Sequence, residues 1–162
     1  KTVGRLDSRF VGRDARAAGQ SPEFDPSMEA IRGPYTATLN DYVRRELDFK
    51  SDLPYEILTG RVRPWDYSRW ENRYVDVASN LRSAMVRNPG LRVFHAGGWY
   101  DMATPPFAAD WVFDHLELEP DDRRRIERAY YPAGHMMYVH DQSRRDLDRD
   151  LGAFYDRSSA PD

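Results

Sequence analysis

The stretches "HAGGWYDMATPP" (residues 95–106) and "YYPAGHMMYVH" (residues 130–140) decide how the fold of this chain is interpreted. Each begins in or just after a short apolar run, passes through glycine and then presents one titratable residue, Asp101 or His135. A short apolar run followed by glycine is typical of a buried strand. The two stretches therefore predict strands over 91–96 and 126–131, each with a chemically active side chain just beyond its end.

Helices are expected on either side of these strands. Apolar residues at helical spacing predict helices over 75–88, 105–116 and 141–156, with Asp101 or Thr104 as the cap of the second one. The order helix, strand, helix, strand, helix is typical of an α/β fold with parallel strands and crossover helices. Adjacent parallel strands end at the same edge of a sheet, so we expect the two titratable side chains to meet there.

The first part of the chain has a less regular pattern. The stretch "GPYTATLNDYVRREL" (33–47) predicts a helix with Pro34 at its first position. A short strand is expected around 9–11, and "AAGQSPEFDPS" (17–27) is expected to form a loop. Residues 50–72 contain prolines, a glycine and many aromatic residues, which predicts an ordered segment with little regular structure.

The composition is that of a folded protein without an affinity for polyanions. The chain has 162 residues, a hydrophobic fraction of 40% and a formal net charge of -3. This charge gives no overall attraction to nucleic acid or anionic lipid. Cysteine is absent, which excludes disulfides and thiolate ligands, and no apolar run is long enough to span a membrane. The charged run "DDRRRIER" (121–128) predicts a solvated helix face.

The sequence also lacks the patterns typical of a cofactor site. It contains neither a Walker loop nor a G-x-G-x-x-G motif. His135 and His140 are five positions apart, a spacing that does not place two imidazoles on one helical face, so together with Asp141 they do not predict a metal site. We therefore expect neither a metal nor another cofactor.

The pairing of Asp101 with His135 suggests acid–base chemistry. A carboxylate that accepts a hydrogen bond from one imidazole nitrogen fixes the tautomer and leaves the other nitrogen free to take a proton from a serine. Aspartate precedes histidine here, which agrees with the order serine, aspartate, histidine of α/β-hydrolases. The alternatives are that Asp101 only caps the following helix and that His135 is a hydrogen-bonded turn residue.

The nucleophile of such a triad is missing from the sequence. None of the serines lies in a G-x-S-x-G motif, the strained turn that presents the serine of an α/β-hydrolase. The first residue is Lys1 rather than methionine. A complete triad on this chain alone is therefore not expected.

Residues 97–140, from "GGWYDMATPP" to "YYPAGHMMYVH", resemble the carboxyl-terminal end of a bacterial serine carboxypeptidase of the α/β-hydrolase superfamily. The stretches "GRLDSRF", "GPYTATLNDYVRREL", "SDLPYEIL" and "PWDYS" resemble the segments that precede it in that family. On this resemblance Asp101 is the triad acid, His135 is the triad base, and Met136 matches a position near the substrate pocket.

The resemblance also implies a division of the chain. Residues 1–70 would be the remainder of a helical cap, and residues 71–162 the carboxyl-terminal part of the hydrolase core. In the family, the serine, the oxyanion-hole amides and the groups that bind the free carboxylate of the peptide belong to the amino-terminal half, which is missing here. The aromatic residues Trp65 and Tyr67, together with Trp70 and Tyr74, would line the substrate channel or, alternatively, seal the cap onto the core.

The function expected on this basis is serine-type carboxypeptidase activity, which releases the last residue of a peptide substrate. This chain would supply the aspartate and histidine and would be inactive alone. The resemblance further suggests an exported protein. Two alternatives stay open: another α/β-hydrolase such as an esterase, lipase or aminopeptidase, and an inactive fragment that acts as a binding module.

Overall fold

The structure is a computed structural model, and it describes residues 1–16 and 21–159. The described part contains five α-helices and two sheets of two strands each. In chain order the elements are β1 (Thr2–Val3), β2 (Val11–Gly12), α1 (Pro26–Arg45), α2 (Ala78–Arg87), β3 (Val93–Gly98), α3 (Pro106–Asp114), α4 (Pro120–Arg123), β4 (Ile126–Tyr131) and α5 (Asp141–Ser159). The chain is thus of the mixed α/β class that its sequence predicts.

The strands β3 and β4 form the parallel pair on which the candidate site is built. Val93 pairs with Ile126 at one end and Gly98 with Tyr131 at the other. Helices α3 and α4 lie between the two strands in the sequence, so the chain returns to the same end of the sheet before β4 begins. The prediction of parallel strands with a helical connection is therefore confirmed, although β3 begins later than expected and continues through both glycines.

Two small apolar clusters hold the helices to this sheet. In the first, Met85 of α2 packs with Leu116 and Leu118, which lie between α3 and α4. In the second, Tyr131 at the end of β4 packs with Ala133 and Met137, and Leu147 of α5 lies against them (in addition to Ala96 and Ala129). The second cluster fixes the chain on both sides of His135, which lies between Ala133 and Met137.

Arg125 contacts Met85 of the first cluster, although the sequence predicts this arginine on a solvated helix face. The side chain of Arg125 is only 14% exposed. It donates hydrogen bonds of 2.9 Å to the carbonyl oxygens of Met85, Asn88 and Leu91, and one of 2.6 Å to Asp122. The last carbonyls of a helix have no partner within the helix. Arg125 therefore satisfies the end of α2 and the following turn, and the expectation of a solvated position was wrong here.

Helix α1 begins at Pro26 and contains Pro34 in its interior, which corrects the expected start. Asp25 is the cap, because its carboxylate accepts hydrogen bonds from the backbone N–H groups of Ser27 and Met28. Proline at the first helical position fits this start, since its missing N–H would have no partner there. The predicted loop over 17–27 thus ends at Asp25, and its residues 17–20 lie outside the described part of the chain.

The remaining elements differ from the expectations in detail. Residues 50–72 contain only two short 3-10 helices, Gly60–Val62 and Ser68–Trp70, as predicted. The short strand expected around 9–11 is β2, displaced towards Gly12. The cap of α3 is Pro105 rather than Asp101 or Thr104, because the Asp101 carboxylate is engaged with the turn that precedes the helix. None of the helices in the described ranges is both long and apolar enough to cross a membrane.

We expect Arg125→Met to lower the free energy of unfolding by about 2–4 kcal/mol, because three carbonyl oxygens lose a charged donor. Arg125→Lys should recover only part of this loss, since one ammonium group cannot replace the planar guanidinium. The matched control is Arg124→Met, because the side chain of Arg124 is 71% exposed and pairs with Asp121 at the surface. Urea denaturation measures the free energy of unfolding of all three variants. Equal losses of stability in Arg124→Met and Arg125→Met would contradict the role assigned to Arg125.

Candidate active site

Asp101 and His135 meet just beyond the ends of β3 and β4. Nδ1 of His135 lies 2.8 Å from Oδ2 of Asp101. The Asp101 side chain is buried, whereas the His135 side chain is 45% exposed. The carboxylate is thus shielded from water while the imidazole is open to a reactant, and the expected approach of the two side chains is confirmed.

The close approach of two glycines allows this contact. A Cβ atom at Gly98 would overlap the carbonyl oxygens of Ala133 and Gly134. A Cβ atom at Gly134 would overlap the backbone carbonyl oxygen of Leu6. None of the described glycines has a positive φ, so the requirement at these two positions is for space rather than for an unusual conformation. Gly98 therefore allows the two loops that carry the reactive side chains to approach each other, and Gly134 allows the loop of His135 to approach Leu6.

Both oxygens of Asp101 are fully engaged. Oδ1 accepts hydrogen bonds from the backbone N–H groups of Ala103 and Thr104, at 2.8 and 2.9 Å. Oδ2 accepts a hydrogen bond of 2.6 Å from the Thr104 hydroxyl in addition to its contact with His135. Burial acts to raise the pKa of Asp101, but the hydrogen bonds from Thr104, His135 and Ala103 outweigh it and hold the pKa below its usual value. Asp101 is therefore a carboxylate at neutral pH.

An ionised Asp101 determines which nitrogen of His135 carries the proton. A carboxylate only accepts hydrogen bonds, so Nδ1 of His135 must be the donor and Nε2 has the free lone pair. In this tautomer Nε2 can accept a proton from a hydroxyl, and the carboxylate stabilises the imidazolium that forms. The geometry thus gives His135 the properties of a general base.

A serine partner for this base is absent from the described residues, none of which forms a hydrogen bond with Nε2 of His135. Ser143 does form a hydrogen bond of 2.8 Å with a histidine, but with Nδ1 of His140. Ser143 is fully buried at the start of α5 and its backbone N–H also points to His140, so this pair begins the helix and is closed to a substrate.

The stretch "GRLDSRF" (4–10) lies against both loops of the candidate site. Three backbone hydrogen bonds of 2.6–3.0 Å make this connection: His135 N–H to Leu6 oxygen, Ser8 N–H to Tyr100 oxygen, and Met102 N–H to Arg5 oxygen. Residues near the beginning of the chain thus hold the backbone on either side of Asp101 and at His135 itself. We call residues 4–10 the bracket.

An ion pair between the buried Asp7 and the partly exposed Arg9 lies within the bracket. Asp7 accepts hydrogen bonds from Nε and Nη2 of Arg9, at 3.0 and 2.7 Å. Nη1 of Arg9 donates to the carbonyl oxygen of Pro132 at 2.7 Å, in the loop that leads to His135. Burial acts to raise the pKa of Asp7, but the hydrogen bonds and charge of Arg9 and the backbone N–H of Gly134 hold it below its usual value. The pair therefore remains ionised at neutral pH.

Sequence reasoning missed Asp7, Arg9 and Thr104 as parts of the site. The only signal for the first two was the resemblance of "GRLDSRF" to a family segment, which assigns them no role. For Thr104, the sequence pattern predicts only a helix cap. These contacts join parts of the chain that are far apart in sequence, or join side chains around a turn, and periodicity does not report either.

Met136, which follows His135, lines an apolar groove of about 530 Å³ along α1. Its lining includes Tyr35, Leu39, Tyr42, Tyr55 and Ile57. Trp65 and Tyr67, the other predicted substrate-binding residues, are 68% and 57% exposed and do not line this groove. Trp65, Tyr67 and Tyr74 are each more than half exposed in the described part of the chain.

No group of three histidine, aspartate or glutamate side chains in the described ranges is placed to hold a metal ion. Comparison of the chain with family models, curated proteins and solved structures found no match. The assignment of a function therefore rests on the geometry of Asp101 and His135 and on the resemblance carried by the motifs.

We expect Asp7→Asn to lower the free energy of unfolding at pH 7 by about 1–3 kcal/mol, because Arg9 loses its buried partner. The pKa of Asp7 is lower in the folded chain than the value of about 4 in an unfolded chain, so its contribution is complete above about pH 4. It is lost as the pH falls through the folded value. The difference between the wild type and the variant should therefore shrink with acidification.

Urea denaturation at pH 7 and at several values between pH 5 and pH 3 measures this difference. The matched control is Asp52→Asn, because Asp52 is exposed. Its free energy of unfolding should stay within about 0.5 kcal/mol of the wild type. A difference between wild type and Asp7→Asn that does not change with pH would show that the ion pair does not stabilise the bracket.

Proposed function

We propose that this chain is the acid–base part of a serine hydrolase of the α/β-hydrolase class, and that its reaction is that of a serine-type carboxypeptidase. The observation that carries the proposal is the hydrogen bond of 2.8 Å between the buried Asp101 carboxylate and the half-exposed His135 imidazole. The position of the pair supports it further, because open α/β sheets place their sites beyond the carboxyl ends of parallel strands.

The proposed reaction proceeds by acyl transfer. A serine hydroxyl transfers its proton to Nε2 of His135 while its oxygen attacks the last peptide carbonyl carbon, and the Asp101 carboxylate stabilises the resulting imidazolium. His135 then gives the proton to the nitrogen of the departing amino acid as the C–N bond breaks. Water attacks the acyl-enzyme with His135 again as the base, which releases the shortened peptide and restores the serine.

The serine of this proposal comes from another part of the same protein or from a separately encoded partner. The motif resemblance favours the amino-terminal half of the same protein, with residues 1–70 as the remainder of a cap and residues 71–162 as part of the hydrolase core. The oxyanion hole and the groups that bind the free carboxylate of the peptide are assigned to the same missing portion. On this proposal the chain alone does not hydrolyse peptides.

The apolar groove that Met136 lines supports a peptide substrate. Met136 follows the proposed base in the sequence, and the lining is mostly tyrosine, leucine, isoleucine and methionine, with two threonines and one arginine. A groove of this kind accepts an apolar or aromatic side chain and orients the neighbouring bond by excluding water around it. We therefore place a side chain next to the scissile bond in this groove.

The catalytic assignment is tested in the protein that carries the serine. Asp101→Asn should lower kcat/KM by about 10³–10⁴-fold, because the amide no longer favours the correct imidazole tautomer, and His135→Ala should lower it at least as much. The substrate is an amino-blocked dipeptide with a free carboxyl terminus. The controls are Asp121→Asn and His115→Ala, which change exposed residues outside the site and should leave the rate within about twofold.

Near-normal turnover in either site variant, with the unfolding curve unchanged, would overturn the triad assignment. A panel that adds the amidated dipeptide and a simple ester identifies the reaction. Preference for the free carboxyl terminus supports a carboxypeptidase, while equal or better hydrolysis of the blocked substrates would replace it by an esterase or another peptidase of the same class.

The groove is tested by comparing Met136→Ala with Trp65→Ala and Tyr67→Ala. We expect Met136→Ala to raise KM for a dipeptide ending in phenylalanine by about tenfold relative to one ending in alanine, because the larger side chain loses contacts that the smaller one never makes. Trp65→Ala and Tyr67→Ala should change this ratio less than twofold. Larger effects at Trp65 or Tyr67 would place the substrate channel where the sequence first suggested it.

A further inference from the structure

Thr104 is in contact with both members of the Asp101–His135 pair. Its hydroxyl oxygen lies 2.6 Å from Oδ2 of Asp101 and 3.1 Å from Nδ1 of His135. These two atoms are themselves 2.8 Å apart, so the three polar atoms form a closed triangle. A hydroxyl in this position takes part in the hydrogen bond that orients the proposed base.

Of its two neighbours, the Thr104 hydroxyl donates its hydrogen bond to Asp101. Oδ2 of Asp101 is an acceptor without a proton of its own, so the hydroxyl donates to it. The lone pairs of the hydroxyl oxygen then remain for Nδ1 of His135, which faces two acceptors, one on Asp101 and one on Thr104. A deprotonated Nδ1 would direct its lone pair at the carboxylate. The triangle is satisfied only when Nδ1 carries the proton.

The backbone fixes the position of this hydroxyl. The N–H of Thr104 donates to Oδ1 of Asp101, so the carboxylate binds the threonine through both its backbone and its side chain. Thr104 also precedes Pro105, and a residue before proline is restricted to extended conformations. Capping of α3 does not account for the contact, because the cap of that helix is Pro105.

We infer that Thr104 is a positioning residue that shares the Nδ1 proton of His135 with Asp101 and so holds the imidazole in the tautomer and orientation of a general base. The catalytic consequence rests on the proposed function, but the hydrogen-bond arrangement is a property of this chain and is measurable without turnover. The conservative variant Thr104→Ser retains the hydroxyl, and the isosteric variant Thr104→Val removes it.

The first experiment observes the imidazole nitrogens of the 162-residue chain by ¹⁵N NMR, with His135 assigned through the loss of its signals in His135→Gln. In the neutral imidazole of the wild type and of Thr104→Ser, Nδ1 should carry the proton and Nε2 should be unprotonated. In Thr104→Val, we expect the Nδ1 proton to exchange faster with water and the Nε2–H tautomer to become populated. The pKa of Asp101 should also rise, because its carboxylate loses a donor.

Stability is measured alongside, because Thr104 also belongs to a turn. If Thr104→Val unfolds at lower urea while the His135 nitrogen signals and the pKa of Asp101 stay as in the wild type, Thr104 only stabilises the turn and the inference is wrong. If Thr104→Val does not fold, the decision falls to Thr104→Ser and Thr104→Ala compared with each other. Identical His135 signals in those two variants would also overturn it.

The second experiment measures catalysis in the protein that carries the serine. Thr104→Val should lower kcat by about tenfold with little change in KM, the size expected when one hydrogen bond to a charged group is lost, and Thr104→Ser should restore most of the rate. Because the NMR result does not depend on turnover, a failure of the triad assignment at Asp101 or His135 is distinguishable from a failure of the role assigned to Thr104.

Discussion

The packing of the carbonyl oxygen of Gly134 against the α-carbon of Gly98 is the contact on which the geometry of the site depends. A hydrogen bond weakens steeply once its donor and acceptor separate by a few tenths of an ångström beyond their normal distance. A side chain at Gly98 would separate the loops by more than that, because its Cβ atom would overlap the carbonyl oxygens of Ala133 and Gly134. The parallel pairing of β3 with β4 brings the loops to the same edge, and Gly98 allows them to come close enough for Asp101 and His135 to interact.

Two buried carboxylates lie near each other in this site, and their surroundings assign them different tasks. Asp7 has a fixed cation, since Arg9 binds it through two nitrogens. Asp101 is held ionised chiefly by neutral donors, first from Thr104 and then from His135 and Ala103, and in the described part of the chain no arginine or lysine forms a salt bridge with it. The charge of Asp7 is therefore balanced by Arg9 within the bracket. The charge of Asp101 has no such partner, so it can stabilise His135 when the imidazole gains a proton.

The sequence is sufficient to predict β3, β4 and the approach of Asp101 to His135, whereas β1 is not predicted. Apolar runs, glycines and the order of the elements are local signals, and the parallel pair follows from them. The start of α1 also has a local signal, because Asp25 followed by Pro26 is typical of a helix start, although the composition of 17–27 predicts a loop there. The roles of Arg125, Asp7 and Arg9 cannot be predicted from the sequence. Each depends on carbonyl groups or side chains that only the fold brings close.

The bracket changes how the chain should be divided. Residues 4–10 belong by sequence position to the segment that the motifs assign to a cap, yet their hydrogen bonds are made to the loops of Asp101 and His135. A dissection of the protein that separates these residues from the rest removes the support of His135 rather than a cover over it. Because Leu6 accepts the backbone hydrogen bond of His135, this part of the site forms only when residues 4–10 have packed against the loop after β4.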